Sequence, residues 1–349
     1  MNPIKNNNSQ ESRITIKDIA NELGLSTATI SNVIHGKTKK ISNRTVAMVQ
    51  KKLEESGYIP NMAAVLLAQN SSKIICVVLS NDARYEEHML EDPFVCGMLN
   101  HLSKEISNQD YFMMLKEEAD ITKISKYASM WNMAGLILMG YSDADYSRLR
   151  ETMHIPFVVV DAYRDKFLNY SDVGIDNQKG GYLAGEYLLQ MGHKDIVYLA
   201  DANVGCNFDR YMGLCNAMKE QSVKQIPSFY ELHPLKKERY LRYESFFLEI
   251  SNYTAAFLSS DLYALEFMNY LQAKGLRIPE DFSILGFDNI PAASFVYPAL
   301  TTISQNMTLR ATCAIELLLD LIHHRNEGKQ ILLPVELIIR ESVSQRHFA

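Results

Sequence analysis

The sequence predicts a small all-α head followed by a larger α/β body built as two doubly wound parallel sheets. Three observations predict it. Residues 15–57 carry three short helical patterns, each closed by a glycine. From residue 74 onward, short apolar runs alternate with helical stretches, the signature of parallel strands with helices on both faces. That alternation continues for about 270 residues, more than one sheet usually carries, so two lobes are the natural arrangement.

The first helix opens at Thr15, with Asp18 three residues on, as in a capping box whose usual Glu or Gln is replaced by Asp. Ile16, Ile19, Ala20 and Leu23 then share one face. Gly24 ends this helix, and Ser26 caps a second whose inner face is Ile30, Val33 and Ile34. After Gly36, Ser42 caps a third helix with Val46, Val49 and Leu53 inward and Gly57 at its end. Helix, short glycine-containing turn, helix is a helix-turn-helix, whose second helix lies in the major groove. Thr27, Ala28, Ser31 and Asn32 face outward and are small enough for close approach. Asn bonds an adenine edge bidentately and an Ala methyl packs on a thymine methyl, so Thr27, Ala28 and Asn32 are the candidate base contacts. Thr15, Ser26, Ser31, Asn43 and Thr45 are the candidate phosphate contacts, because hydroxyls and helix N-termini position the DNA backbone.

Charge agrees with this division. The chain carries a net −6, but residues 1–70 hold nine Lys and Arg against five Asp and Glu, giving the head +4 and the remainder −10. A basic head on an acidic body confines phosphate binding to one end. Hydrophobic residues are 47% and charged residues 22% of the chain, as in a soluble globular protein. No apolar run reaches the ~18 residues needed to cross a bilayer. Residues 1–14 are polar, without the apolar centre of a secretory signal, and read as a disordered leader. Five cysteines without a C-x-x-C fit thiols of a reducing cytoplasm.

Apolar strand candidates are 74–79, 111–115, 135–139, 157–161, 196–200, 255–259 and 283–287, with helical stretches such as 93–108, 177–191, 207–221 and 261–274 between them. Several strands end in polar groups, among them Asn81, Asp161, Asp201, Ser260 and Asp288. Ligands of open α/β sheets sit beyond the carboxyl ends of strands. Carboxylates accept from hydroxyls and an Arg fork donates to them, a chemistry suited to a polyhydroxyl ligand. Catalytic signatures are absent: no G-x-G-x-x-G follows a strand, and there is no phosphate-binding P-loop and no G-x-S-x-G. The nine histidines lack H-x-x-x-H spacing. The expectation is a binding protein without catalytic residues, metal or cofactor. Gly180, Gly181 and Gly185 fit close helix packing, Asp176-Asn177 a helix cap, and Trp131 a core position.

Residues 15–61, from TIKDIA through the GLSTATIS core and Gly36 to the closing GYIPN, resemble the DNA-binding head of the lactose-repressor/galactose-repressor (LacI/GalR) family. Body segments 173–201, Arg210–Gly213, Ser260–Ala264, 278–291, 298–305 and 333–342 resemble it in family order, so the likeness spans about residues 15–344. The resemblance implies a body like periplasmic sugar-binding proteins, with two lobes, three crossovers and the ligand between them. It implies base reading at Thr27, Ala28 and Asn32. It also implies a hinge at 61–73 that folds on operator and inserts Leu67 into the minor groove, with Leu66 and Asn61 beside it. Here Val65 and Ala68 stand where the family usually has Arg and often a basic residue; either the hinge's phosphate contact is weaker or the paired hinge is more apolar. By position, Arg210 and Asp288 are the foremost effector contacts, followed by Ser260, Asp161, Asn81 and Phe94. Residues 81–92 are longer than the usual family connection.

The resulting expectation is a cytoplasmic homodimeric repressor on a pseudo-palindromic double-stranded operator, controlling carbohydrate-utilisation genes through a sugar-like effector. Its domains are a leader (1–14), head (15–60), hinge (61–73), first lobe (74–161 and 291–322) and second lobe (162–290 and 323–345). A dimer is favoured over a tetramer because the chain ends at Ala349, soon after the last strand. Two rivals are a family member controlled by a protein co-repressor, and a sugar-binding protein with no DNA role.

Overall fold

The first helix of the head, α1 (Ile16–Leu23), begins on the expected capping box: Asp18 N–H donates to Thr15 Oγ1 at 3.3 Å and Thr15 N–H donates to Asp18 Oδ2 at 2.9 Å. Gly24 closes it at φ 63°, a left-handed conformation that glycine adopts without a Cβ penalty. Ser26 caps α2 (Thr27–Ile34) by accepting from Thr29 N–H, and Ser42 caps α3 (Asn43–Glu55) by accepting from Thr45 N–H. Ile19, Ala20, Ile30, Val33 and Val49 form the buried core, flanked by Leu23, Val46 and Leu53. The structure is a computed structural model that describes residues 14–59, 72–80, 89–161, 170–324 and 328–346. The chain divides into two compact units, Met1–Asn70 and Ser71–Ala349.

The body contains two six-stranded sheets. In chain order, the elements that build the first are β1 (Ile74–Leu79), α4 (Pro93–Asn108), β2 (Phe112–Glu117), α5 (Ile121–Met130), β3 (Gly135–Met139), α6 (Asp143–Thr152), β4 (Phe157–Val160) and β5 (Ser171–Ile175). The second is built by α7 (Asn177–Gln190), β6 (Ile196–Ala200), α8 (Gly205–Glu220), β7 (Ser228–Glu231), α9 (Lys236–Phe247), β8 (Ala255–Leu258), α10 (Asp261–Ala273), β9 (Ser283–Asp288) and β10 (Thr301–Ser304). Then α11 (Met307–His324) and β11 (Gln330–Leu333) return to the first sheet, and β12 (Glu336–Ile338) joins the second. Strand order is β11-β5-β4-β3-β1-β2 in one sheet and β12-β10-β9-β8-β6-β7 in the other. Every pairing is parallel except β10 with β12. Central strands such as β3, β4, β6 and β8 are buried throughout, because helices cover both faces.

This topology moves the expected lobe boundaries. β5 pairs with β4, so residues 171–175 belong to the first lobe, not to a second lobe starting at 162. β10 pairs with β9, so residues 301–304 belong to the second lobe, although α11 behind them packs on α4, β3, β4 and β5. β11 pairs with β5 in the first sheet, not in the second lobe. The three crossovers therefore lie at 175–177, 304–307 and 333–336. β5 and β10 escape a sequence reading because they are short and carry polar residues. Those residues are buried and bonded: Ser171 Oγ accepts from Lys329 N–H, and Thr302 Oγ1 donates to Asp261.

Two strands also end earlier than expected. Asp161 leaves β4 at φ 64°, and Ser259 lies beyond β8. β2 runs two residues further, to Glu117, as an edge strand with one neighbour. Trp131, expected in the core, is 52% exposed and lines a shallow apolar cavity with Cys76, Met114 and Tyr127.

Candidate functional site

The head presents its recognition surface at the start of α2. Thr27, Ala28 and Asn32 are exposed there, while Ser31 is half-buried. The hydroxyls expected on phosphate are engaged within the head: Ser26 Oγ with Thr29 Oγ1 at 2.9 Å, Thr45 Oγ1 with Ser42 Oγ at 2.8 Å, and Thr15 Oγ1 with Asp18 at 2.7 Å. Asn43 opens α3 and is exposed. A further feature escaped the residue-by-residue reading. Lys37, Lys39 and Lys40 between α2 and α3, and Arg44 at the start of α3, are exposed with no ion pair among the described residues, whereas Lys52 pairs with Glu22 and Lys51 with Glu55. Unpaired cations beside a recognition helix supply the sequence-independent attraction to phosphate. Asn61, Leu66 and Leu67 lie outside the described residues.

In the body, a cavity of about 230 Å³ opens between the carboxyl ends of the two sheets. Its walls come from both lobes, with Ser80, Phe94 and Asp161 on one side and Asp201, Arg210, Ser260 and Asp288 on the other. Of the expected effector residues, the structure thus brings together Arg210, Asp288, Ser260, Asp161 and Phe94; Asn81 lies outside the described residues.

Arg210 projects from α8 and is 8% exposed. Its Nε donates to Asn177 Oδ1 at 2.9 Å and its Nη1 to the Ser259 carbonyl at 2.5 Å. The guanidinium stacks on Phe287, 3.5 Å from the ring centroid. These contacts fix its plane and leave Nη2 without a hydrogen-bonding partner among the described residues. The helix carrying it is held by close packing. A Cβ on Gly181 would come within 1.8 Å of the Arg210 carbonyl oxygen, and one on Gly213 within 2.0 Å of the Gln178 oxygen. Only glycines let α7 and α8 approach this closely.

Asp288 ends β9 at 7% exposure and φ 128°. Burial drives its carboxyl well above the usual range, Asp261 and Asp92 push the same way, and Arg210 and Gln305 oppose them. Behind it, Asp261 is fully buried, accepting from Thr302 Oγ1 at 2.5 Å and Ile290 N–H at 2.9 Å. Its carboxyl is raised to about 6, chiefly by burial. Ser260 caps α10, accepting from Tyr263 N–H at 3.3 Å. Asp176 caps α7 through Lys179 N–H, as expected, whereas Asn177 turns into the cleft to orient Arg210.

Further residues complete the cleft, of which Arg239 and Gln305 carry no local signal in the sequence. Asp201 accepts from Asn207 Nδ2 at 2.8 Å and Tyr263 Oη at 2.9 Å. Arg239 lies over the Tyr263 ring and is held by Glu266 at 2.8 Å. Asp92 caps α4 by accepting from Phe94 and Val95 N–H, which fixes Phe94 at the cleft wall. Asp161 pairs with Arg310 of α11, and Arg310 Nη1 donates to Gln305 Oε1, whose Nε2 donates to Asp288 at 2.5 Å. Among the described residues, no group of three or more His, Cys, Asp or Glu is placed to hold a metal ion. No described helix is long and apolar enough to cross a membrane.

A helix-turn-helix head and a two-lobed body with a polar cleft are the parts of a DNA-binding regulator. The comparisons with known proteins agree. Residues 15–61 match the model for bacterial regulatory proteins of the lacI family, and residues 186–343 match a periplasmic binding protein-like domain. A repressor of Pasteurella multocida named HTH-type transcriptional repressor PurR is 31% identical over 346 residues, covering 95% of this chain and 99% of its own. The lac repressor dimer bound to operator and the anti-inducer ONPF superposes with a TM-score of 0.80 at 22% identity, over 95% of this chain and all of the other. A periplasmic binding protein/LacI transcriptional regulator from Alkaliphilus metalliredigens, complexed with D-xylulofuranose, gives a TM-score of 0.65 at 26% identity, over 78% of this chain and 99% of the other. The chain belongs to the lacI family of bacterial regulatory proteins. It is a DNA-binding transcriptional repressor and not an enzyme.

Proposed function

We propose that this repressor controls carbohydrate-utilisation genes and that a sugar or sugar derivative, held between the lobes, sets its grip on DNA. The observation that carries this reading is that Arg210 and Asp288 both line the cleft. A guanidinium with an open Nη2 and a buried carboxyl offer a donor and an acceptor to vicinal hydroxyls. Phe94 supplies an aromatic face, and Asp201, Ser260 and Asp161 supply further polar groups. The sugar-bound relative from Alkaliphilus metalliredigens supports the same ligand class.

On DNA the protein acts as a cytoplasmic homodimer. Thr27, Ala28 and Asn32 read base edges in each half-site of a pseudo-palindrome, and Thr15, Ser26, Ser31, Asn43 and Thr45 contact phosphates. Half-sites about one helical turn apart follow from two heads related by a twofold axis. Asn61, Leu66 and Leu67 form the connecting hinge, whose leucine wedge unstacks a base step in the minor groove. Effector binding shifts the balance between two lobe arrangements, by no more than its differential affinity for them.

A thermal-shift screen of sugars finds the effector, since a ligand that binds the folded state raises its stability. With that ligand, wild-type operator affinity is expected to change about 5- to 150-fold, the usual range of allosteric coupling. Arg210→Ala is expected to bind operator as wild type does and to show no such change. An unaltered response in Arg210→Ala excludes Arg210 as an effector contact.

A further inference from the structure

We infer that Arg310 is a positioning residue of the effector cleft: its guanidinium fixes the rotation of the Gln305 amide, and the amide then presents Asp288 to the ligand as a hydrogen-bond acceptor. The inference rests on the proposed role of Asp288 in binding the effector.

Arg310 lies in the first turn of α11 and is fully buried. Burial lowers its pKa to about 9, which leaves it charged at neutral pH. It sits behind the cleft wall, 5.8 Å from the ring centroid of Phe94. One arm meets Asp161, at the end of the first lobe's β4. The other, Nη1, donates to Gln305 Oε1 at 2.5 Å, just beyond the second lobe's β10. The fork thus spans the 304–307 crossover.

A guanidinium has only donors, so the Gln305 atom facing it must be the oxygen. The amide nitrogen then necessarily faces Asp288, where Nε2 and Oδ1 are 2.5 Å apart. An NH₂ group needs an acceptor, and a carboxylate serves it better than an acid. The chain from Arg310 through Gln305 therefore favours the ionised form of Asp288. Burial, Asp261 and Asp92 oppose ionisation, and Arg210 supports it. Without Arg310 the amide is free to turn its oxygen toward a protonated Asp288. With Arg310 in place, the Gln305 amide biases Asp288 toward the acceptor form, which favours a ligand that meets it with a hydroxyl or N–H. Asp161, paired with Arg310, is occupied and contributes less to binding than Asp288.

The test follows the Asp288 carboxyl directly. Infrared titration of the full-length protein reads its protonation, with Asp288→Asn identifying the band. Arg310→Lys keeps the positive charge but lacks the fork that reaches Asp161 and Gln305 together. Arg310→Met/Asp161→Asn removes the ion pair without leaving a lone buried charge, and Asp161→Asn alone is its reference. Both Arg310 variants are expected to raise the Asp288 midpoint by about one pH unit, the scale of one charge-assisted hydrogen bond. A midpoint unchanged in Arg310→Lys reduces Arg310 to a plain charge and overturns the positioning role, as does an unchanged midpoint in the double variant. Because this titration needs no effector, it stands or falls apart from the sugar assignment. For a sugar recovered by the thermal-shift screen, Arg310→Lys is further expected to weaken binding about tenfold, and undiminished binding contradicts the link to recognition.

Discussion

Gly181→Ala is expected to destabilise the body by about 3 kcal/mol, the upper range for overpacking, and to abolish the effector response. The new methyl has no free direction, because it meets the backbone oxygen of Arg210 at 1.8 Å instead of a side chain that can swing away. Relief requires α8 to move off α7, and that movement carries Arg210 away from Asn177 and the Ser259 carbonyl. Gly213→Ala should behave alike, since its methyl meets the Gln178 oxygen from the other side of the same crossing. Urea denaturation combined with effector titration checks both effects. A Gly181→Ala protein of wild-type stability and response contradicts the account of why α7 and α8 are glycine-rich at their contact.

The second large effect concerns pH. Asp261 has a folded-state pKa of about 6 against an ordinary 3.8, chiefly because it is buried. An acid whose pKa is raised on folding favours the folded state only while it is protonated. Its contribution is complete below about pH 4 and is lost as pH rises through about 6, a fall of about 3 kcal/mol for a two-unit shift. Asp288 is shifted in the same direction and adds to the slope. The bonds that Asp261 accepts from Thr302 and the Ile290 amide, together with the Arg340 charge and the Asn289 amide, favour the charged form against burial. Asp261→Asn is therefore expected to flatten the decline in unfolding free energy between pH 4 and 7, leaving the part due to Asp288. A decline as steep as wild type assigns the pH dependence elsewhere.

The parts legible in the sequence are those whose physical signal is local. The head is local throughout: Thr15, Ser26 and Ser42 are caps, Gly24, Gly36 and Gly57 stop helices, and the inward face repeats at helical spacing. Central strands such as β3 and β6 were legible because burial on both faces makes them continuous apolar runs. β5 and β10 were not, because their buried serine, aspartate and threonines read as loop. Partners far along the chain, including Lys329 for Ser171 and Arg340 and Ser342 for Thr301, make those residues possible inside a sheet.

The same distinction divides the cleft. Arg210 stands at a motif position and Asp288 at the end of an apolar strand, so they could be named in advance. Arg310 reads in MTLRATCAIELLLDLIHH as one more charge on an amphipathic helix, and nothing nearby in sequence marks it as buried. Its partner Asp161 lies in another lobe segment, lining the cleft while its carboxylate pairs with Arg310. Trp131 failed for the opposite reason. A lone tryptophan closing a helix suggests core, but α5 ends where the sheet edge at β2 leaves its ring partly open to solvent.

The central claim is that two recognition helices, held in register by the hinge, read a symmetric site. The most direct measurement selects tight-binding duplexes from a random DNA pool with the full-length protein and then titrates the winner against wild type and Leu67→Gly. The account predicts a pseudo-palindromic consensus with half-sites about one helical turn apart. It also predicts a Leu67→Gly variant that loses tight binding to that duplex. A pool that yields no symmetric consensus, or a Leu67→Gly protein that binds the selected duplex as tightly as wild type, would contradict it.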